Sequence, residues 1–94
     1  MDGTDAITKD VVIVNRLGLH ARAAAKLVSL AERYQADIEV SRGGQSVSAL
    51  SIMGLMMLGA GRGEQVRLAA TGPQGDAALV AVAALIADGF GERD

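Results

Sequence analysis

The chain has 94 residues, half of them apolar and 21% charged, and its nine basic and eleven acidic side chains leave a net charge of -2. That supplies one small aliphatic core and no second domain. With Tyr34 and Phe90 as the only aromatics and no basic excess, it lacks both the stacking faces and the phosphate-neutralising charge of a nucleic-acid reader.

Residues 1–7 read as a lead-in; Met1 to Asp5, with two acids and no apolar run, are not expected to form a secretory signal. Val11 to Val14 are four β-branched residues in a row, which predicts a strand covered on both faces or near the middle of a sheet. Asn15-Arg16-Leu17-Gly18 breaks that pattern. From Ala21 to Tyr34, Ala24, Leu27, Ala31 and Tyr34 recur at helical spacing and predict an amphipathic helix starting at or just after His20. Ala36 to Ser41 alternates, with Ile38 and Val40 on one face; Arg42-Gly43-Gly44 turns the chain, and Gln45 to Ala49 returns as a short strand.

Ser51 is the expected N-cap of a short second helix running to about Leu58. Gly59 to Gly63 is a turn that lacks the lysine and spacing of a phosphate loop. Gln65 to Ala70 alternates again, with Val66, Leu68 and Ala70 inward. Gly72-Pro73 stops it, and a last helix runs from about Gln74 to Asp88 on the stripe Leu79, Val82, Ala83, Ile86, capped by Gly89. The apolar stretch Ala77 to Ala87 is far short of the roughly 20 residues a membrane span needs. The order βαββαβα predicts an α+β open-faced sandwich: a four-stranded antiparallel sheet with three helices on one face. Residues 8–90 form the domain, and 91–94 are a C-terminal tail.

Without cysteine there are no disulfides, thiolate metal ligands or thiol nucleophile, and with one histidine there is no multi-histidine metal site. Neither a metal nor a cofactor is expected. The informative segment is Gly18-Leu19-His20-Ala21-Arg22-Ala23-Ala24-Ala25-Lys26. It places His20 where the first helical amides lack partners and the helix dipole favours an anion. Arg22, in the same first turn, brings a planar donor fork, and Lys26 adds positive potential. A free imidazole, with a pKa of about 6.5, is mostly an uncharged nucleophile at neutral pH. Such a group beside anion-binding donors suits covalent phosphoryl shuttling.

The second helix, Ser51-Ile52-Met53-Gly54-Leu55-Met56-Met57-Leu58, is apolar on every side. Leu55 and Leu58 are expected in the core and Ile52, Met53 and Met56 on the surface, where flexible thioethers suit binding to several partners. A non-catalytic regulatory module using the Met53 and Met56 patch is the alternative function.

These residues resemble the HPr family, the histidine-containing phosphocarriers of the bacterial phosphoenolpyruvate-dependent phosphotransferase system. Gly-Leu-His-Ala-Arg around His20 and Ser-Ile-Met-Gly-Leu-Met-Met-Leu-Gly-Ala from Ser51 carry the likeness, with the turn at Ala60 and the Thr71-Gly72-Pro73 stop. The resemblance implies that His20 accepts a phosphoryl group on Nδ1 from Enzyme I and passes it to an Enzyme IIA, in sugar uptake or in nitrogen-related regulation. Arg22 then contacts the phosphoryl group. The implied docking surface joins Ile52, Met53 and Met56 to Ala25 and Lys26. Ser51 matches a serine that a dedicated kinase phosphorylates in some relatives, adding about -1.5 to -2 charges at the docking face. Ala23 stands where the family often has proline; alanine keeps the helix but loosens its first turn. The resemblance also implies a carrier with a phosphohistidine intermediate rather than a stand-alone enzyme. Without a signal or a span-length apolar run, a cytoplasmic address and no membrane insertion are expected; the charge balance argues against a nucleic-acid partner, and the need to present one free face to successive partners suggests a monomer.

Overall fold

Alternating side chains decide the middle of the molecule. In Gln65–Thr71, Val66, Leu68 and Ala70 are buried while Gln65 and Arg67 face water; in Asp37–Arg42, Ile38 and Val40 do the same. Two such strands pair so that their apolar faces coincide, and the register sets Val40 against Leu68 and Ile38 against Ala70. The computed structural model, which describes residues 6–92, builds outward from this pair. Its elements are β1 (Ile7–Val12), α1 (Ala21–Ala31), β2 (Asp37–Arg42), β3 (Gln45–Ser48), α2 (Ile52–Met57), β4 (Gln65–Thr71) and α3 (Gly75–Ala87), followed by a 3-10 turn at Gly89–Gly91. Residues 1–5 of the lead-in and 93–94 of the tail lie outside the described residues.

The strands form one antiparallel sheet in the order β1-β4-β2-β3. All three helices pack on one face: α3 covers β1, β4 and β2, and α1 lies beside α2 and α3. The shared core holds Leu27 of α1, Leu55 of α2, Val82 and Ile86 of α3, Val40, Val66 and Leu68 of the sheet, and Phe90 after α3. This is the α+β open-faced sandwich that the element order predicts.

Two details differ from expectation. The run Val11–Val14 is not a doubly covered strand: β1 starts at Ile7, ends at Val12 and lies at the edge of the sheet, with Val12 and Val14 exposed. β-Branched residues report a preference for extended backbone, not depth. Past Val12 the backbone pairs with a turn instead of a strand: Ile13 N–H donates to Glu64 O at 2.9 Å, and Gly63 N–H to Ile13 O at 2.7 Å. Ile13 alone of that stretch is fully buried. Helix α1 ends at Ala31, not Tyr34, because Arg33 and Tyr34 N–H groups bond three residues back, to Leu30 and Ala31, tightening the last turn.

The α2–β4 turn is clamped from two sides. Glu64 accepts Gly61 N–H and the Arg42 guanidinium, each at 2.5 Å, while Arg42 also donates to Leu58 O at 3.0 Å. The Gly61 amide first, and then Arg42, hold the Glu64 carboxyl below its usual range. So fixed, the turn offers Ala60 O to Leu19 N–H at 3.0 Å.

Gly18 makes that contact geometrically available. Its φ is +63°, and a Cβ there would stand 2.4 Å from Ala60 O and 2.9 Å from Gly61 Cα, both backbone atoms. A left-handed backbone costs an L-residue roughly 1–2 kcal/mol, and the overlap adds to it. Gly18→Ala is therefore expected to lose about 2 kcal/mol or more, lowering the thermal midpoint by roughly 8 °C or more. A midpoint within about 2 °C of wild type would refute this packing.

Candidate functional site

His20 is the N-cap of α1, with extended backbone at φ -76° and ψ 177° and no capping bond from its side chain. The first intrahelical bond runs from Ala24 N–H to His20 O at 2.9 Å. The amides of Ala21, Arg22 and Ala23 thus have no acceptor inside the helix and form its positive end. Gly18 O takes His20 N–H at 2.9 Å, which turns the chain sharply into the helix.

The imidazole is 25% exposed, and its Nε2 meets Glu92 Oε2 from the far end of the chain. Asn15 Nδ2 donates to the other Glu92 oxygen at 3.1 Å and to Gly18 O at 2.9 Å. Asn15 is only 4% exposed. Its Oδ1 has no hydrogen-bond partner among the described residues, a cost accepted in aiming the amide protons at these two acceptors. The tail reaches this spot through three left-handed residues, Gly89, Phe90 and Gly91. Phe90 tolerates its φ of 57° because its ring is buried in the core. Lys26 Nζ donates to Phe90 O at 2.7 Å and fastens the turn to α1.

These parts enclose an open cavity of about 360 Å³ lined by Arg16, Leu17, His20, Arg22, Lys26, Gly91 and Glu92. Three cationic side chains and the bare end of α1 surround one imidazole and one carboxylate. The bond from His20 is the main reason the Glu92 carboxyl is held below its usual range; burial opposes it, while Asn15 and the Lys26 ammonium assist. Arg22 is exposed and has no ion-pair partner among the described residues, so its donor fork is available to an incoming anion.

Of the residues singled out in the sequence, His20, Arg22 and Lys26 line this cavity. Ser51 does not line it; it caps α2, its Oγ accepting Gly54 N–H at 2.9 Å. Gly54 suits that cap, since a Cβ there would press on Ser51 Oγ at 2.9 Å. Leu55 and Leu58 are buried, whereas Ile52, Met53 and Met56 are exposed, Met53 at 72%. Ala25 and Lys26 border a second depression with Arg22, Ser29, Leu30, Arg33 and Leu85.

Four features went unread in the sequence. Asn15 looked like a pattern break, although Asn-x-x-Gly ahead of a helix hints at a structured loop. Leu17 and Met57, both strongly exposed, extend the apolar surface at the cavity and on α2. Arg16 adds a third cation. Glu92 lies 72 residues from His20, and only the spaced glycines before it signal a turn.

The family description "PTS HPr component phosphorylation site" matches residues 7–88. The chain belongs to the HPr family. Among its HPr-family relatives, phosphocarrier protein HPr of Cupriavidus necator is 50% identical over 88 residues, covering 94% of this chain and 99% of the relative. Phosphocarrier protein NPr of Shewanella violacea is 44% identical over 86 residues, covering 92% and 94%. Among solved structures, HPr-C-His from Thermoanaerobacter tengcongensis superposes with a TM-score of 0.88 at 39% identity, covering 94% of this chain and 99% of that one.

The lowered Glu92 carboxyl has a definite sign. A group whose folded value lies below its unfolded one adds stability above the unfolded value, and loses it as acid passes the folded value. In a carbon-detected NMR titration, Glu92 is expected to titrate below 4.5 and to move back toward it in His20→Ala, because His20 is the largest lowering influence. An unmoved midpoint in that variant would show the pair to be inconsequential.

Proposed function

We propose that His20 is the residue on which this phosphotransferase-system phosphocarrier holds its phosphoryl group. The supporting observation is the placement of a partly exposed imidazole at the bare N-terminus of α1, in one cavity with Arg22 and Lys26. Nucleophilic attack by the ring needs no helper base, and the phosphoryl oxygens gain from helix amides, from the Arg22 fork and from the Lys26 charge. Catalysis here is positioning and electrostatics, which suits a carrier that stores the group briefly and gives it up again.

The donor in this reading is Enzyme I, charged by phosphoenolpyruvate, and the acceptor an Enzyme IIA, in sugar uptake or nitrogen-related regulation. The chain acts as a cytoplasmic monomer that shows the same face to both. No helix among the described residues is long and apolar enough to cross a membrane. Exposed Ile52, Met53 and Met56, with Ala25 and Lys26 on the neighbouring helix, form the docking face. Thioether side chains repack at little cost, which suits two partners of different shape. Ser51 sits at the head of that patch, and a kinase adding phosphate there would place like charge before an acidic partner without unfolding α2.

The test is incubation with phosphoenolpyruvate and Enzyme I, read by intact mass. Wild type gains one acid-labile phosphoryl group and His20→Ala gains none; a full gain in His20→Ala would defeat the assignment. Arg22→Ala keeps the site but loses roughly 10- to 100-fold in rate, the range for a hydrogen bond to a charged group. Met53→Asp leaves the fold intact and raises the Enzyme I concentration needed for half-maximal rate; if it and His20→Ala together leave uptake untouched, the chain works through some other face.

A further inference from the structure

We propose that Glu92 is the positioning residue that holds the His20 ring with its proton on Nε2, leaving the bare Nδ1 lone pair as the nucleophile. This rests on the reading of His20 as the phosphoryl acceptor. An ionised carboxylate only accepts hydrogen bonds, so the ring nitrogen against Glu92 Oε2 must be the protonated one. A neutral imidazole carries a single N–H, and Nδ1 is therefore unprotonated.

The carboxylate is itself held. Asn15, buried and oriented by its second bond to Gly18 O, fixes the far oxygen of Glu92. Buried Phe90 anchors the turn that carries Glu92, and Lys26 ties the Phe90 carbonyl to α1. A carboxylate so placed does for the ring what the acid of a serine-protease triad does: it selects the tautomer and compensates the charge that develops.

The transfer balances without a further reagent. The Nδ1 lone pair forms the N–P bond as the bond from phosphorus to the leaving atom of the phosphorylated donor protein breaks, and that electron pair departs with the donor. Nε2 keeps its proton throughout. The ring acquires formal positive charge, and Glu92 lies against the N–H that shares it, so the contact strengthens as the reaction proceeds. Return of the group to an acceptor reverses these changes.

The experiment uses the full chain labelled with 15N at histidine. One-bond proton–nitrogen spectra at about pH 8, above the ordinary imidazole pKa, report which ring nitrogen carries hydrogen. Wild type is expected to show a slowly exchanging proton on Nε2 and none on Nδ1. Glu92→Ala should lose that protected signal and take up phosphate from phospho-Enzyme I roughly tenfold more slowly, in the range for removing a group that orients an imidazole. Glu92→Asp, one methylene shorter, should recover part of both. A wild-type proton on Nδ1, or a Glu92→Ala protein whose ring signals and uptake rate match wild type, overturns the proposal. The failures are separable: phosphate on a residue other than His20 defeats the reading of the site, whereas phosphate on His20 Nδ1 with indifferent Glu92 variants defeats only the role of Glu92.

Discussion

The backbone contact between Gly18-Leu19 and Ala60 is the constraint on which the site depends. The chain leaves an edge strand, turns through Gly18 with a φ of +63°, and enters α1 two residues later with His20 as the cap. The donor–acceptor pair from Leu19 N–H to Ala60 O joins the start of α1 to the turn that follows α2. Ala60 holds still because Glu64 and Arg42 grip the turn around it. His20 therefore owes its place at the head of α1 to a chain of backbone hydrogen bonds, while the contact with Glu92 bears on the orientation of its ring.

Much of this was legible in the sequence, for physical reasons that differ by element. Strands β2 and β4 showed themselves because one face is wet, and a period of two in Ile38-Val40 and Val66-Leu68-Ala70 has no other easy reading. Helix α3 was legible from its composition and its flanking Gly72-Pro73 and Gly89. Strand β1 departs from the expectation because it is exposed almost throughout, so it carries no alternation, and the β-branched run Val11–Val14 straddles its end. His20, Arg22 and Lys26 could be placed together because they share one helical turn and its entrance. Glu92 and Asn15 could not, since their meeting depends on a tail folded back across the whole chain by three left-handed residues.

The surface of α2 follows from size. A six-residue helix can bury about one side in a domain this small, and Leu55 with the following Leu58 takes that place. Ile52, Met53, Met56 and Met57 remain outside, a cluster of apolar side chains where a lone helix would carry charge. Methionine keeps such a face adaptable, which suits the docking role proposed for it.

A carboxylate inside a site proposed to hold a phosphoryl dianion looks misplaced until the geometry of imidazole is considered. The two ring nitrogens lie on different sides of the ring, and Glu92 occupies the Nε2 side. Its repulsion of a group on Nδ1 is thereby reduced by separation, while its attraction to a cationic ring acts at contact distance. Arg16, Arg22 and Lys26 face the same cavity, so an arriving dianion still meets a positive surround. Removing the carboxylate would raise the local positive potential, and on charge alone this favours phosphate binding. That a positive site retains an acid at all is understandable if the acid serves the ring and not the phosphate. On that view the two anions are never competitors: one waits on the protonated nitrogen so that the other can bond to the bare one.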